Sequence, residues 1–456
     1  MIRKVPTRVA IACGGTGGHL FPGLAVADWL DRSGCAVTLL ISTKEVDKQA
    51  AKLAHGMEVV SLPAVGLARH RGFTFLRGFV QSWRMTSRLF AGAPPAAVLG
   101  MGGFTSAAPI LAGKRCGART FLHESNTIPG RANRWLARIV DGVFIGFPSA
   151  TRRLRNRNIT VTGTPVRPQF QPGDAPSRRL ALGLAAQRPV LLVMGGSQGA
   201  SGINSLVVRA LPMLAALYPE WQWLHLAGPS GRDEVERAYA KLNLQAVVLP
   251  FLPAMELALG TATIAISRAG ASSLAEIAAM GLPSLLIPYP AATDQHQMHN
   301  ARAFESTGAA RVLDQTRAEP GTLVQALRDL IESEAARAQM REALSQWHAP
   351  NAAQSIATTI LQSGSTDALI PGPKPCRMAA LALALALAPG LRVTWSKSNE
   401  SHISYRQDAR SHSPEALSAT LSRNRRDSTQ WPMKWPIQQP NDPLRIAFRN
   451  GQEVHL

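Results

Sequence analysis

The sequence predicts an α/β protein, two doubly wound parallel-sheet domains in tandem followed by a tail of low order. Three observations carry this. Short continuous apolar runs end in glycine clusters and lead into stretches of helical apolar spacing, the order of a strand, a crossover helix and a parallel strand. The pattern restarts at Pro189, after a Pro- and Gly-containing stretch over Thr162–Pro172. Finally, 456 residues at 46% hydrophobic and 17% charged are enough to bury two cores.

Taken in order, Arg8–Cys13 reads as a buried strand. The segment through Leu24, Ala27 and Leu30 reads as the next helix, and Ala36–Ser42 as the second strand. Further strands are predicted at Val98–Met101, Arg119–His123 and Gly142–Ile145. The second half opens with the run VLLVMGG and a helix over Ser201–Leu217. Strands follow at Trp223–Ala227, Ala246–Pro250, Thr263–Ser267 and Ser284–Pro288. From about Ser365 a Pro-rich stretch, an Ala-Leu repeat and Ser/Arg/Pro-rich sequence replace the α/β pattern, as expected of a weakly ordered tail.

The formal net charge is +20. The tail from Thr366 holds 12 Lys/Arg against 7 Asp/Glu, so most of the excess lies on the two domains. Such a balance calls for an anionic partner: nucleic acid, an anionic membrane or a phosphorylated substrate. The four cysteines, Cys13, Cys35, Cys116 and Cys376, form no CxxC pair and read as free thiols of a reducing compartment. The apolar run after the basic start is too short for a secretory signal. No stretch reaches the roughly 18 apolar residues of a membrane span.

Five motifs carry chemistry. Gly14-Gly15-Thr16-Gly17-Gly18-His19 joins a strand to a helix, where glycine amides and the helix N-terminus suit an anion. It is not a dinucleotide fingerprint. Leu20 stands where the third glycine belongs, and Ser42-Thr43-Lys44 where the ribose-binding acid belongs. His19 is either a helix-start histidine bonded to backbone or a general base or phosphate ligand. Gly100–Ser106 and Gly195-Gly196-Ser197-Gln198-Gly199 are further strand-end glycine loops, and Ser197 suits a diphosphate. His123-Glu124-Ser125-Asn126 ends a strand. Adjacent side chains there point to opposite faces, which argues against a direct acid–base pair.

The fourth motif, Ser267 through Glu276, is a strand end, a glycine turn and a helix start. Glu276 is placed either to take both ribose hydroxyls or merely to complement the helix dipole. The fifth, Asp294-Gln295-His296-Gln297 with Asn300, offers amides that both donate and accept, as sugar hydroxyls require. Separately, Arg69–Phe90 interleaves arginines with Phe75, Phe79 and Trp83 at helical spacing and holds no acid. The expectation is a basic amphipathic helix lying on anionic lipid, the plainer alternative being a surface helix whose stripe faces the core.

GGTGGHLFPGLAVA, MGGFTSAAP, HESNTIPGRANR, VTGTPVRPQF, GGSQGA, SRAGASSLAEIAAMGLPSLLIPYP and DQHQMHNA together resemble the bacterial MurG family over about Arg8–Leu361. These are the UDP-N-acetylglucosamine:muramyl-pentapeptide-pyrophosphoryl-undecaprenol N-acetylglucosaminyltransferases of peptidoglycan synthesis. The resemblance implies a GT-B fold. Its domains would cover 1–163 with a returning helix at about 350–363, then 164–349, with a tail of unknown role over 365–456. It implies an inverting transfer from UDP-N-acetylglucosamine to the C4 hydroxyl of lipid I. No metal or other cofactor would be resident, and no Asp-x-Asp motif is present.

Residue by residue, the resemblance places Ser197 on phosphate, Leu252 against uracil, Glu276 on the ribose and Gln297 on the sugar. Ala271, Ser272, Ser273, Leu274 and Ala275 line the same loop, and Arg167 binds the nucleotide sugar. Thr16, Gly17, Gly18 and Asn126 approach the sugar from the first domain. His19 activates the acceptor, and Glu124 is a second catalytic candidate. The implied location is the cytoplasmic face of the inner membrane, as a peripheral protein, with cell-division and elongation proteins as partners and no nucleic acid. The competing readings are another GT-B UDP-sugar enzyme (a glycolipid synthase or an epimerase) and a non-catalytic nucleotide-sugar-binding membrane scaffold.

Overall fold

The computed structural model describes residues 6–15, 17–44, 47, 54, 56–64, 72–196, 199–365, 445–447 and 453–455. Thr16, Ser197, the start of the Arg69–Phe90 segment and the tail over 366–444 lie outside the described residues.

The first domain runs β1 (Arg8–Ala12), α1 (Gly17–Arg32), β2 (Ala36–Ser42), β3 (Glu58–Leu62), α2 (Gly72–Gly92), β4 (Ala97–Gly100) and α3 (Ala107–Arg115). It continues with β5 (Arg119–Glu124), α4 (Arg131–Leu136), β6 (Gly142–Ile145) and β7 (Ile159–Val161). Its seven strands are ordered β3-β2-β1-β4-β5-β6-β7, with parallel pairing throughout. The order reverses between β1 and β4, so loops after those strands open into one crevice. The central strands are buried on both faces: RVAIA shows only Arg8 exposed, and AVLG is wholly buried. Hence they read as apolar runs rather than alternating ones.

The second domain comprises α5 (Ala175–Ala181), β8 (Val190–Met194), α6 (Ser201–Leu217), β9 (Gln222–Leu226), α7 (Arg232–Lys241), β10 (Ala246–Leu249) and α8 (Met255–Thr261). There follow β11 (Ile264–Ser267), α9 (Ala271–Met280), β12 (Ser284–Leu286), α10 (His296–Glu305), β13 (Arg311–Val312), α11 (Pro320–Glu332) and α12 (Glu334–Ser345). Its six parallel strands are ordered β10-β9-β8-β11-β12-β13, with the same reversal beside β8. Leu274 and Ile277 of α9 join Val190–Met194 in its core.

The chain crosses between the domains twice. After α12 it returns as α13 (Ala352–Ser365), whose Ala353, Ile356, Ala357 and Ile360 enter the first domain's core against α1. The two crossings touch. Gly163 has φ +78°, and a Cβ there would stand 2.3 Å from the Ala349 Cβ, so only glycine fits. Beside them Phe147, Phe304 and Trp347 form a ring cluster, with Phe304 and Trp347 stacked at 4.4 Å. Far along the sequence, β14 (Arg445–Ala447) and β15 (Glu453–His455) pair antiparallel as a separate hairpin.

The α/β class and the two parallel sheets match the sequence expectation. The membrane stripe does not. Phe75 and Phe79 are each 5% exposed and stack on one another at 6.5 Å. α2 packs on α3, so the aromatic stripe faces the core, and Trp83 is only partly exposed. Solvent instead meets Thr74, Arg77, Gln81, Arg84, Met85 and Arg88. An apolar stripe with 3.6-residue spacing reports a buried face without saying whether protein or lipid buries it. Among the described residues no helix is long and apolar enough to cross a membrane.

Candidate active site

The site is built from strand-end loops of both sheets. In the first domain, the β1 loop is committed to protein partners. Gly15 N donates to Asp47 Oδ2 at 2.6 Å, and the Ser42 hydroxyl donates to the same oxygen. Lys44 Nζ donates to Gly15 O at 2.7 Å, and Thr105 Oγ1 to Gly14 O at 2.6 Å. A buried carboxylate thus lies under the loop that resembles an anion cradle. The sequence places no acid at the end of β2, but Asp47, five residues on, takes that place. Its contact spans 32 residues, which no local pattern reveals.

His19 lies in the first turn of α1, with its ring against the β4 loop. A Cβ on Gly102 would stand 3.1 Å from His19 Cε1 and 2.9 Å from Asn133 Nδ2, and Gly102 has φ +103°. His19 Nδ1 is buried with no hydrogen-bond partner. Burial lowers the imidazole pKa. The Met101 backbone and Asp47 act in the opposite sense, while His296 and Lys44 reinforce the fall. The ring is therefore held neutral at physiological pH, the form that accepts a proton.

His123 and Glu124 at the end of β5 are both buried. His123 Nε2 contacts Gly163 O at 3.1 Å and Nδ1 the Ser125 hydroxyl at 3.2 Å, tying β5 to the crossover. Burial pushes its pKa down to about 4. Glu124 is corrected from catalytic candidate to loop support. Its Oε1 accepts from Asn126 N and Nδ2, and its Oε2 from Gly130 N and Asn133 Nδ2, at 2.7–3.1 Å. At 1% exposure, with both oxygens occupied, it does not reach the cleft. Burial raises its pKa while those four donors hold it down.

From the second domain, α9 points its N-terminus at the first. Ser272 Oγ donates to Gly18 O at 2.9 Å across the cleft. Ala271 through Ala275 are the opening turns of this helix rather than a loop. Ala271 and Leu274 are buried, while Ser273, Ala275 and Glu276 are partly exposed. Burial raises the Glu276 pKa to about 7; Arg167 opposes the rise and Glu256 adds to it. Arg167, in the first crossing, is 8% exposed. It sits 3.5 Å from Glu256 Oε2 and lies over the rings of Phe21 at 5.0 Å and Phe170 at 5.2 Å. Phe21 belongs to α1, so this guanidinium spans both domains.

Leu252 is partly buried after β10, beside Phe251, which is 40% exposed. Tyr289, 48% exposed after β12, lies over Arg268 at 5.4 Å. Exposed rings at carboxyl ends of strands are the signal that would have singled them out. Arg268 itself bonds Ile287 O and Pro288 O, and burial lowers its pKa to about 10. Gln297 Oε1 accepts from Tyr289 N at 2.9 Å, leaving its amide nitrogen for other contacts. Gly17, Gly18 and Asn126 line the first-domain side, and Thr127 meets Asn300 there. Among the described residues no group of three or more His, Cys, Asp or Glu is placed to hold a metal ion.

This geometry has close relatives. Residues 9–145 match the glycosyltransferase family 28 N-terminal domain and residues 190–358 the family 28 C-terminal domain. The chain is 36% identical over 375 residues to the UDP-N-acetylglucosamine--N-acetylmuramyl-(pentapeptide) pyrophosphoryl-undecaprenol N-acetylglucosamine transferase of Acidithiobacillus ferrooxidans (strain ATCC 53993 / BNL-5-31). That match covers 79% of this chain and 99% of the relative. It is 33% identical over 385 residues to the same-named protein of Anaeromyxobacter sp. (strain K), covering 81% and 98%. The crystal structure of Acinetobacter baumannii MurG superposes with TM-score 0.61 at 28% identity, covering 78% of this chain and all of that one. A UDP-GlcNAc 2-epimerase from Neisseria meningitidis superposes at TM-score 0.58 but 14% identity, a likeness of fold alone. The chain belongs to glycosyltransferase family 28, among its MurG members.

Proposed function

We propose that this chain transfers N-acetylglucosamine from UDP-N-acetylglucosamine to the C4 hydroxyl of the muramyl sugar of undecaprenyl-pyrophosphoryl-muramyl-pentapeptide, with inversion. The observation that supports this best is the facing of two unlike half-sites. A neutral, partly buried His19 opens α1 on one side. The α9 N-terminus with Glu276 stands on the other, the halves joined by Ser272–Gly18.

In this reading Glu276 takes the ribose hydroxyls, Leu252 lies against uracil, and Gln297 and Asn126 read the sugar. Arg167 and the α9 amides stabilise the diphosphate as it leaves, as oriented donors do most effectively in a water-poor cleft. Ser197 and Thr16 keep phosphate and sugar roles on family likeness alone. The acceptor oxygen bonds C1 from the face opposite the diphosphate, its proton passes to His19, and the C1–phosphate oxygen bond breaks to release UDP.

The protein works at a membrane surface in this reading, because its acceptor is a lipid. The exposed arginine face of α2 suits the anionic cytoplasmic leaflet of the inner membrane. Contacts with cell-division and elongation proteins belong to the same proposal. The test is turnover of UDP-N-acetylglucosamine with a lipid I analogue. Stoichiometric UDP release with a β-1,4 disaccharide supports it. Sugar released from donor alone points to an epimerase, and binding without turnover to a scaffold.

A further inference from the structure

Asn300, on α10 of the second domain, is wholly buried and uses all the hydrogen-bonding capacity of its amide. Its Oδ1 accepts from Thr127 N at 3.0 Å and Thr127 Oγ1 at 2.9 Å. Its Nδ2 donates to Asn126 Oδ1 at 3.1 Å and to Ala269 O at 3.2 Å. Three of these four bonds cross from one domain to the other. Thr127 donates two of them and Asn300 the third. The Glu124 carboxylate can only accept, so Asn126 must turn its Nδ2 towards it, at 3.1 Å. That leaves Asn126 Oδ1 facing α10, where the partner must be a donor.

We propose that Asn300 is a positioning residue that locks the Asn126 amide, already turned by Glu124, in place when the domains are closed, and so couples closure to the sugar site. Opening the cleft breaks the three crossing bonds and leaves the Asn126 side chain held by Glu124 alone. Closing it aims one remaining N–H and one lone pair of Asn126 in a set direction. This role rests on the reading that Asn126 meets the donor sugar.

Asn300→Asp keeps both acceptances from Thr127 but replaces the donor facing Asn126 by an acceptor, leaving that amide between two carboxylates. The expected result is a kcat lower by about ten- to a hundred-fold, with UDP affinity within about threefold of the parent. Lowering the pH should relieve the loss, because the introduced carboxyl, once protonated, donates again. The ratio of variant to parent kcat should therefore rise several-fold between about pH 8 and pH 5.5. Taking that ratio cancels the contributions of the charged and polar groups common to both, namely Glu124, Arg134, Asp294, His296, His299 and Arg268. Thr127→Val removes one crossing bond without touching Asn126, and should lower kcat by about three- to tenfold with no relief at low pH. Parent-like kcat in either variant, or a ratio flat with pH, overturns the proposal. If Asn300→Asp does not fold, Thr127→Val decides alone: a kcat drop at constant UDP affinity supports the coupling, and parent kcat refutes it. A parent that binds UDP but never transfers sugar would instead refute the transferase reading.

Discussion

If Glu276 takes the ribose as proposed, donor binding should depend on pH in a window where most carboxylates are indifferent. Its pKa stands at about 7 because burial disfavours the charged form and the nearby Glu256 carboxylate adds to that, against the pull of Arg167. If the ribose hydroxyls need the ionised form, the site must lose a proton before it binds. A group with pKa near 7 is roughly 90% ionised at pH 8 and roughly 10% at pH 6. The apparent Kd for UDP-N-acetylglucosamine should thus rise about tenfold over that interval. The UDP-sugar is the right ligand, since its diphosphate carries no proton that titrates there, whereas free UDP has one. Calorimetric titration without acceptor, from pH 5.5 to 8.5, measures the effect. Glu276→Gln should abolish the slope and weaken binding at pH 8 by about ten- to a hundred-fold, the loss of a charge-assisted hydrogen bond. Glu256→Gln should move the slope to lower pH, because a neighbouring negative charge is removed. For the unliganded fold the sign is opposite. With its pKa raised above 4.5, the Glu276 contribution to stability is complete below that value and lost as pH rises through about 7. A donor affinity flat across the range, or unchanged in Glu276→Gln, would remove Glu276 from the ribose.

His19→Ala should lower kcat by about 10²–10⁴-fold in a lipid I assay while donor Kd barely moves; equal losses in both would make His19 a binding residue. Arg77, Arg84 and Arg88 changed together to Ala should reduce co-sedimentation with anionic vesicles, at about 1 kcal/mol per charge, without altering the melting temperature. Phe79→Ala should instead destabilise the fold by about 3–5 kcal/mol in a denaturant titration, as core phenylalanines do. Gly163→Ala should lower the melting temperature by several degrees, because a Cβ would collide with Ala349 at a backbone angle that L-residues avoid.

Much of the fold was legible because parallel strands must be apolar on both faces. VAIA and VLLVM announce themselves in that way, as do the glycines that follow them. β13 did not, since two residues, Arg311 and Val312, make no run. The candidate site was legible where a side chain sits at a strand end next to a helix start, as at His19 and Glu276. It was obscure where a partner comes from afar. Asp47 under Gly15 and Glu124 under Asn126 are charged residues doing architectural work, and residue type alone cannot separate that from chemistry. Asn300 stood in a visible amide-rich motif, yet its span of 173 residues to Thr127 is set only by closure.

The paired crossings at Gly163 and Ala349 bear on how such a cleft can move. One connecting strand would let the second domain swivel, slide and twist against the first. Two strands in contact act like the two pins of a door hinge. Swinging about the line through them remains soft, while rotation across that line would have to stretch one strand or pull Gly163 and Ala349 apart. An opening about that line would keep the two crossings together, and closing would return Ser272 to Gly18 and Asn300 to Thr127 in the same register. Accuracy of a bimolecular transfer would thereby be stored in the backbone, far from any atom that reacts.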